Sequence, residues 1–220
     1  MQLENQQYRY ERKFLCPSSD LIEVERIIRG LPGGFSQIYC KRTINNMYFD
    51  DFDLTSFLDS IEGSEDRLKI RIRWYGDLFS DSTDAFLELK RKKGVVGMKD
   101  RFDLGKLSFF ELSSTDFFKK IVYKKVFNDS MLDGLSSFKK ILLNSYDRKY
   151  FESFDKRFRI TIDSDLKWYY PNYKKGFNSE FSNNNTIVEM KYNVDDDISA
   201  DMISSAMPFR WQKIRNIHME

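Results

Sequence analysis

The sequence has little of the chemistry on which many enzymes depend. Among its 220 residues there is one histidine, His218, and there are two cysteines, Cys16 and Cys40. A single histidine close to the C-terminus excludes histidine-rich zinc sites and most serine–histidine or cysteine–histidine catalysis. Two cysteines are too few for a disulfide framework and indicate free thiols in a reducing cytoplasm. Any catalysis must therefore use carboxylates, lysines, arginines or tyrosines, with or without a hard metal ion.

Long apolar runs are also missing. The longest stretch free of charged residues is 30–40, far shorter than the roughly 20 residues that a transmembrane helix needs. The first residues are charged and do not form the apolar segment of a secretory signal. We therefore expect a cytoplasmic protein without a membrane-spanning segment. Lys and Arg (36) nearly balance Asp and Glu (34), for a net charge of +2, so any anion site must arise from local sorting of charge.

Apolar and aromatic residues are plentiful. Hydrophobic residues make up 41% of the chain, and its aromatic residues are mainly 20 phenylalanines and 12 tyrosines. This composition favours strands over a helical bundle. A chain of this length can bury a core without disulfides, and we expect one domain over 1–220.

Alternation with period two predicts most of the elements. The predicted strands cover 8–15, 37–49, 67–75, 85–93, 98–104, 145–153, 157–163, 186–192 and 209–215. Helical patterns are fewer and cover 20–29, 116–144 and 198–207, and the Asn/Ser run 178–185 is interpreted as a turn or mobile loop. The predicted fold is therefore mainly β, an antiparallel sheet or barrel with a few helices.

Several predicted strands carry basic residues on one face and apolar residues on the other. On 67–75, Lys69, Arg71 and Arg73 alternate with apolar residues, and Arg159 and Lys191 follow the same pattern on later strands. One interpretation is an ordinary solvent-facing sheet surface. Solvent faces usually mix charges of both signs, however, because like charges on neighbouring strands repel each other. The alternative is a barrel interior that binds phosphate oxygens, where a few carboxylates hold a divalent metal ion.

Eight fragments, taken in order along the chain, resemble the VTC domain, the polyphosphate polymerase branch of the triphosphate tunnel metalloenzyme (CYTH-like) superfamily. They are YERKF at 10–14, NMYFD at 46–50, LKIRIRWYG at 68–76, FLELKR at 86–91, KDRF at 99–102, YDRKYF at 146–151, FRITID at 158–163 and VEMK at 188–191. Each fragment alone is common, but their combination spans nearly the whole chain.

The resemblance implies a closed antiparallel β-barrel tunnel of about eight strands, in which the γ-phosphate of ATP is transferred to a polyphosphate chain with Mn²⁺ or Mg²⁺. The implied catalytic residues are Glu189, Lys191 and Arg159, and the implied metal ligands are Glu189, Glu11 and Glu88. The implied phosphate-binding residues are Lys13, Lys69, Arg71, Arg73, Lys90, Lys99, Tyr146, Arg148, Arg159 and Lys213. We expect these side chains to converge inside one barrel.

Arg9 departs from the wider superfamily, which has an acidic residue at this place in its first strand. Its presence favours a polymerase over a hydrolase. Two alternatives stay open: hydrolysis of inorganic or nucleoside triphosphate in the same tunnel, and a polyphosphate-binding module without catalysis. Nucleic-acid binding is not expected, because the aromatic residues mainly alternate onto the face opposite the basic residues, whereas RNA recognition requires exposed aromatics.

Overall fold

The computed structural model describes residues 9–17, 20–93, 96–114, 117, 138–172 and 176–211. In this part of the chain it contains ten strands and four α-helices. The strands are β1 (Arg9–Cys16), β2 (Ser36–Asp50), β3 (Asp66–Tyr75), β4 (Thr83–Lys93), β5 (Val96–Leu107), β6 (Lys139–Glu152), β7 (Arg159–Asn172), β8 (Gly176–Asn183), β9 (Thr186–Asn193) and β10 (Arg210–Trp211). The helices are α1 (Leu21–Gly30), α2 (Thr55–Glu62), α3 (Phe109–Ser113) and α4 (Asp197–Ser205). The prediction of a mainly β fold is confirmed.

The strands form one sheet in the order β10-β1-β9-β7-β6-β2-β3-β4-β5, with β8 beside β7. Every pairing whose register is described is antiparallel. Within the described residues β10 and β5 are the two ends of the path, and no pairing between them closes the sheet into a barrel. The closed barrel expected from the sequence is therefore not confirmed. No helix in the described ranges has the length and apolar character needed to cross a membrane.

The chain forms two compact units. The first unit comprises Met1–Arg42, Tyr146–Leu166 and Asn183–His218. Its core includes Phe14, Phe158, Ile160, Val188 and Met190, together with buried residues of α1 and α4. Helix α1 begins where the carboxylate of Asp20 accepts a hydrogen bond from the backbone N–H of Ile22, which satisfies one donor of the first turn.

The second unit comprises Thr43–Ser145 and Lys167–Ser182. The register of β3 and β4 pairs Ile70 with Leu89 and Ile72 with Leu87, and all four side chains are buried. Burying each such side chain stabilises the fold by about 1.5–3 kcal/mol. The alternation of basic and apolar residues thus predicted the buried face of these strands correctly.

Two predictions of local structure are wrong. Residues 139–144 were expected to be helical and belong to β6, while most of the remaining zone 116–138 lies outside the described residues. Residues 142–146 are buried in succession, and a run without alternation does not distinguish a strand from a helix. Residues 178–183 were expected to be a loop and belong to β8. In this strand Phe177 packs against the hydrophobic core of the second unit. The ring centre of Phe181 lies 5.8 Å from that of Trp168.

Candidate functional site

Strands β3, β4 and β5 present a row of basic side chains in the second unit. The register places Arg71 opposite Glu88, and Lys69 opposite Lys90. It also places Lys90 opposite Lys99. Directly paired residues project on the same side of a sheet, so these side chains share one face with Arg73. We call this set (Lys69, Arg71, Arg73, Glu88, Lys90 and Lys99) the basic face of the second unit.

Glu88 is at the centre of the basic face and is 2% exposed. Its Oε2 atom accepts hydrogen bonds from Arg71 Nε at 2.8 Å and Nη2 at 2.6 Å. Lys99 Nζ lies 2.8 Å from Oε1, and Arg73 Nη1 lies 3.9 Å from Oε2. Burial raises the pKa of Glu88, but Arg71, Arg73 and Lys99 outweigh burial and lower this pKa to about 2. Three positive charges therefore surround one ionised carboxylate, an excess of two positive charges.

Residues of β2 and β6 hold the two arginines in place. Arg73 Nε donates to Asn46 Oδ1 at 2.8 Å, and Asn46 Nδ2 donates to Asn144 Oδ1 at 2.8 Å. Both asparagines are buried, and Arg71 Nη1 lies 3.5 Å from the hydroxyl of Tyr48. Asn46 and Tyr48 pair with Arg73 and Arg71 in the register of β2 and β3. Sequence reasoning did not assign a role to either, because the pairing of β2 with β3 is not visible in the sequence.

The first unit contains a second charged cluster, on β1 and β9. The register pairs Lys13 with Glu189 and Glu11 with Lys191. Lys13 Nζ lies 3.0 Å from Glu11 Oε1 and 3.4 Å from Glu189 Oε2. Lys191 Nζ lies 2.6 Å from Glu189 Oε1 and 3.8 Å from Glu11 Oε2. These four side chains form a closed ring of ion pairs, the Lys13–Glu189 ring, in which the charges balance.

The ring keeps its buried members charged. Burial raises the pKa of Glu189, but the positive charges of Lys191, Lys13 and Arg148 outweigh burial. The pKa of Glu189 therefore lies well below its usual range. Burial lowers the pKa of Lys13, and Glu189 with Glu11 raises it above its usual value. Glu189 is therefore a carboxylate and Lys13 an ammonium ion at neutral pH.

Arg148 is held beside this ring by Asp163. Its Nε and Nη2 atoms donate to the two carboxylate oxygens of Asp163 at 2.5 and 2.6 Å, a bidentate arrangement that fixes the plane of the guanidinium. The guanidinium carbon lies 5.3 Å from the ring centre of Tyr146. Burial lowers the pKa of Arg148, but Asp163 and other acidic groups raise it well above its usual value. Asp163 was quoted in the motif FRITID without a role, although it has the same alternation parity as Arg159.

The remaining predicted residues have different surroundings. The side chain of Arg159 is 59% exposed, and its Nε atom donates to Glu152 Oε1 at 2.8 Å. In the register of β7 and β9, Arg159 pairs with Lys191. Lys213 lies outside the described residues. The predicted residues thus form one cluster in each unit, and their convergence in a single tunnel stays a prediction.

A divalent cation requires oxygen ligands, and the charged clusters differ in what they offer. No group of three or more Asp, Glu, His or Cys residues in the described ranges is arranged as a metal site. Glu11 and Glu189 each place an oxygen within 3.4 Å of Lys13 Nζ, so two carboxylates face one point. Carboxylate oxygens suit Mg²⁺ and Mn²⁺, which usually take further ligands from substrate phosphates or water. The first cluster thus offers two carboxylates and the basic face only one, and in both clusters the carboxylate oxygens already contact cationic side chains.

Comparisons with known proteins place the chain in a family. A family model for the VTC domain matches residues 8–217. Vacuolar transporter chaperone complex subunit 4 of Schizosaccharomyces pombe is 28% identical in an alignment 153 residues long, which covers 56% of this chain and 20% of that protein. This chain therefore matches about a fifth of the length of its curated relative. The structure of the PH1819 protein from Pyrococcus horikoshii superposes with a TM-score of 0.51 at 13% identity, covering 94% of each chain, a likeness of fold alone. Because the family match covers nearly the whole chain, the protein belongs to the VTC domain family.

Proposed function

We propose that the protein is a phosphotransferase resembling polyphosphate polymerases, which moves the γ-phosphate of ATP to a polyphosphate chain with the help of Mn²⁺ or Mg²⁺. The observation that carries this proposal is the excess of positive charge around Glu88, where three cations contact one carboxylate. A bound phosphate chain supplies the negative charge that offsets this excess. Membership of the VTC domain family supports the same class of substrate.

The basic face suits a chain of phosphates in geometry as well as charge. Arg71 and Arg73 offer planar forks of N–H donors that match phosphate oxygens, and lysines such as Lys90 and Lys99 act as point charges. Glu88 and Asn46 already hold the arginines in place. Less side-chain entropy is therefore lost on binding than with unrestrained arginines. In this proposal the basic strand faces line the tunnel that the family resemblance implies.

Phosphoryl transfer depends mainly on positioning and on neutralising charge. A terminal oxygen of the bound polyphosphate attacks the γ-phosphorus of ATP, the bond from that phosphorus to the β–γ bridging oxygen breaks, and ADP leaves. Lys191 and Arg159 neutralise the oxygens of the transferred group. Glu189 and Glu11 would hold the divalent ion, which when bound offsets charge between neighbouring phosphates. No side-chain nucleophile is required.

The cellular setting follows from the same chemistry. Cys16 and Cys40 are free cysteines, as expected in a reducing compartment, and ATP is the proposed phosphate donor. We therefore propose that the reaction takes place in the cytoplasm.

Product analysis tests the proposed reaction. The purified protein is incubated with ATP and either Mn²⁺ or Mg²⁺, and ADP, free phosphate and polyphosphate are measured separately. We expect ADP together with polyphosphate that contains most of the transferred phosphate. ADP with only free phosphate would instead establish a triphosphate hydrolase, and no ADP with either metal would favour a binding module without catalysis.

A further inference from the structure

Thr161 lies in the middle of the charged cluster of the first unit. On β7 it is flanked, at alternate positions, by Arg159 and Asp163, and the register pairs it directly with Glu189 of β9. Directly paired residues in antiparallel strands have Cβ atoms about 4.5–5.5 Å apart on the same face. The side chain of Thr161 therefore lies beside the Lys13–Glu189 ring.

The hydroxyl of Thr161 is buried, and it has no hydrogen-bond partner within the described part of the chain. Its neighbours on the same face are paired, Arg159 with Glu152 and Asp163 with Arg148. The carboxylate of Glu189 is bound by Lys13 and Lys191. Leaving a buried hydroxyl unpaired costs free energy that an apolar side chain of the same shape does not cost. Valine has that shape and is equally suited to a strand, so packing among the described residues gives no reason for a hydroxyl here.

A bound phosphate group would give the hydroxyl of Thr161 a hydrogen-bond acceptor. Arg159 and Lys191 are directly paired, two residues along their strands from Thr161 and Glu189. Their side chains are 59% and 43% exposed. Neighbours at this diagonal spacing lie about 7–8 Å apart, which long side chains readily span. A phosphate held by Arg159 and Lys191 has further oxygens, and one of them can accept from the more deeply placed hydroxyl of Thr161.

We propose that Thr161 is a phosphate-binding residue whose hydroxyl donates to a phosphate oxygen held by Arg159 and Lys191. The ligand is a phosphate group of a triphosphate or polyphosphate, so this inference rests on the function proposed above. Thr161 is uncharged, which separates its contribution from that of its neighbours. Loss of its hydroxyl weakens binding without changing how binding depends on salt, whereas loss of a lysine charge changes both.

Isothermal titration with tripolyphosphate tests the assignment. Thr161→Val removes the hydroxyl and keeps the shape, while Thr161→Ser keeps the hydroxyl. We expect Thr161→Val to weaken binding roughly ten-fold or more, as for a hydrogen bond to a charged group. Its salt dependence should match that of the wild type, and Thr161→Ser should bind within about two-fold of the wild type. Without ligand, Thr161→Val should melt at or above the wild-type temperature, because no bonded hydroxyl is lost.

Thr83→Val is the matched control. The hydroxyl of Thr83 donates to the backbone carbonyl of Tyr75 at 3.3 Å, so this variant should melt at a lower temperature and bind tripolyphosphate like the wild type. Wild-type affinity in Thr161→Val would overturn the assignment while leaving the proposed function intact. A loss of melting temperature in Thr161→Val equal to that of Thr83→Val would also overturn it, because it would reveal a structural partner. Failure of the wild type to bind tripolyphosphate would reject both the assignment and the proposed function.

Discussion

Protonation of Glu88 should lower the free energy of unfolding in acid, and Glu88→Gln should remove this contribution to the pH dependence. The pKa of Glu88 falls from 4.5 to about 2 in the folded protein, and each unit of such a shift corresponds to about 1.4 kcal/mol. The shift therefore sets an upper limit of about 3 kcal/mol for the ionic stabilisation by Glu88. Lys99 is 49% exposed, so solvent screening reduces the expected value to about 2 kcal/mol. Because the folded pKa is depressed, this stabilisation is complete above about pH 4.5 and is lost as the pH falls towards 2.

Urea unfolding of the wild type and Glu88→Gln at several pH values from 7 to 2.5 measures this contribution. The difference in free energy of unfolding should be about 2 kcal/mol at pH 7 and should shrink steadily below pH 4.5. Glu65→Gln is the control, since Glu65 is exposed on the loop before β3, and its difference from the wild type should stay small throughout. A difference between the wild type and Glu88→Gln that is the same at pH 7 and pH 2.5 would refute the ionic role of Glu88.

Three further substitutions test other parts of the account. Glu189→Gln should retain tripolyphosphate binding but lower the rate of ADP release about 100-fold or more, the scale for loss of one electrostatic catalytic group. Equal turnover in the wild type and Glu189→Gln would reject the catalytic role of Glu189. Asp163→Asn should weaken tripolyphosphate binding roughly ten-fold in calorimetry, because Arg148 loses its bidentate ionic partner; unchanged affinity would show that Arg148 needs no such support. Leu87→Ala should lower the free energy of unfolding in urea by about 2–5 kcal/mol, since Leu87 is fully buried; a loss below about 1 kcal/mol would contradict the packing described here.

The sequence was most informative where alternation is strict. In β3 the even-numbered positions from Ile70 to Trp74 are apolar and buried, while Arg71 and Arg73 point to the opposite face. Alternation with period two reports directly which residues share a face. It therefore indicates that Arg71 and Arg73 share a face, but not which side chains they contact.

The sequence did not predict which residues on neighbouring strands contact each other. The roles of Asn46 and Tyr48 depend on the register of β2 against β3, and nothing within either strand specifies that register. Asp163 had the correct parity, but the partner it holds, Arg148, lies on β6. Strand β6 itself was misjudged at its start, because residues 142–146 are buried on both faces and show no alternation.

The central claim is that the excess of positive charge around Glu88 binds a chain of phosphates. Titration of tripolyphosphate into the wild type, Arg71→Ala and Arg91→Ala at low and high salt tests it most directly. Arg91 is exposed on β4, and alternation places it on the face opposite Glu88. Wild type and Arg91→Ala should bind alike, more weakly at high salt, and Arg71→Ala should bind roughly ten- to a hundred-fold more weakly, as for a charge-assisted hydrogen bond. Equal affinity of all three proteins for tripolyphosphate at low salt would contradict the account.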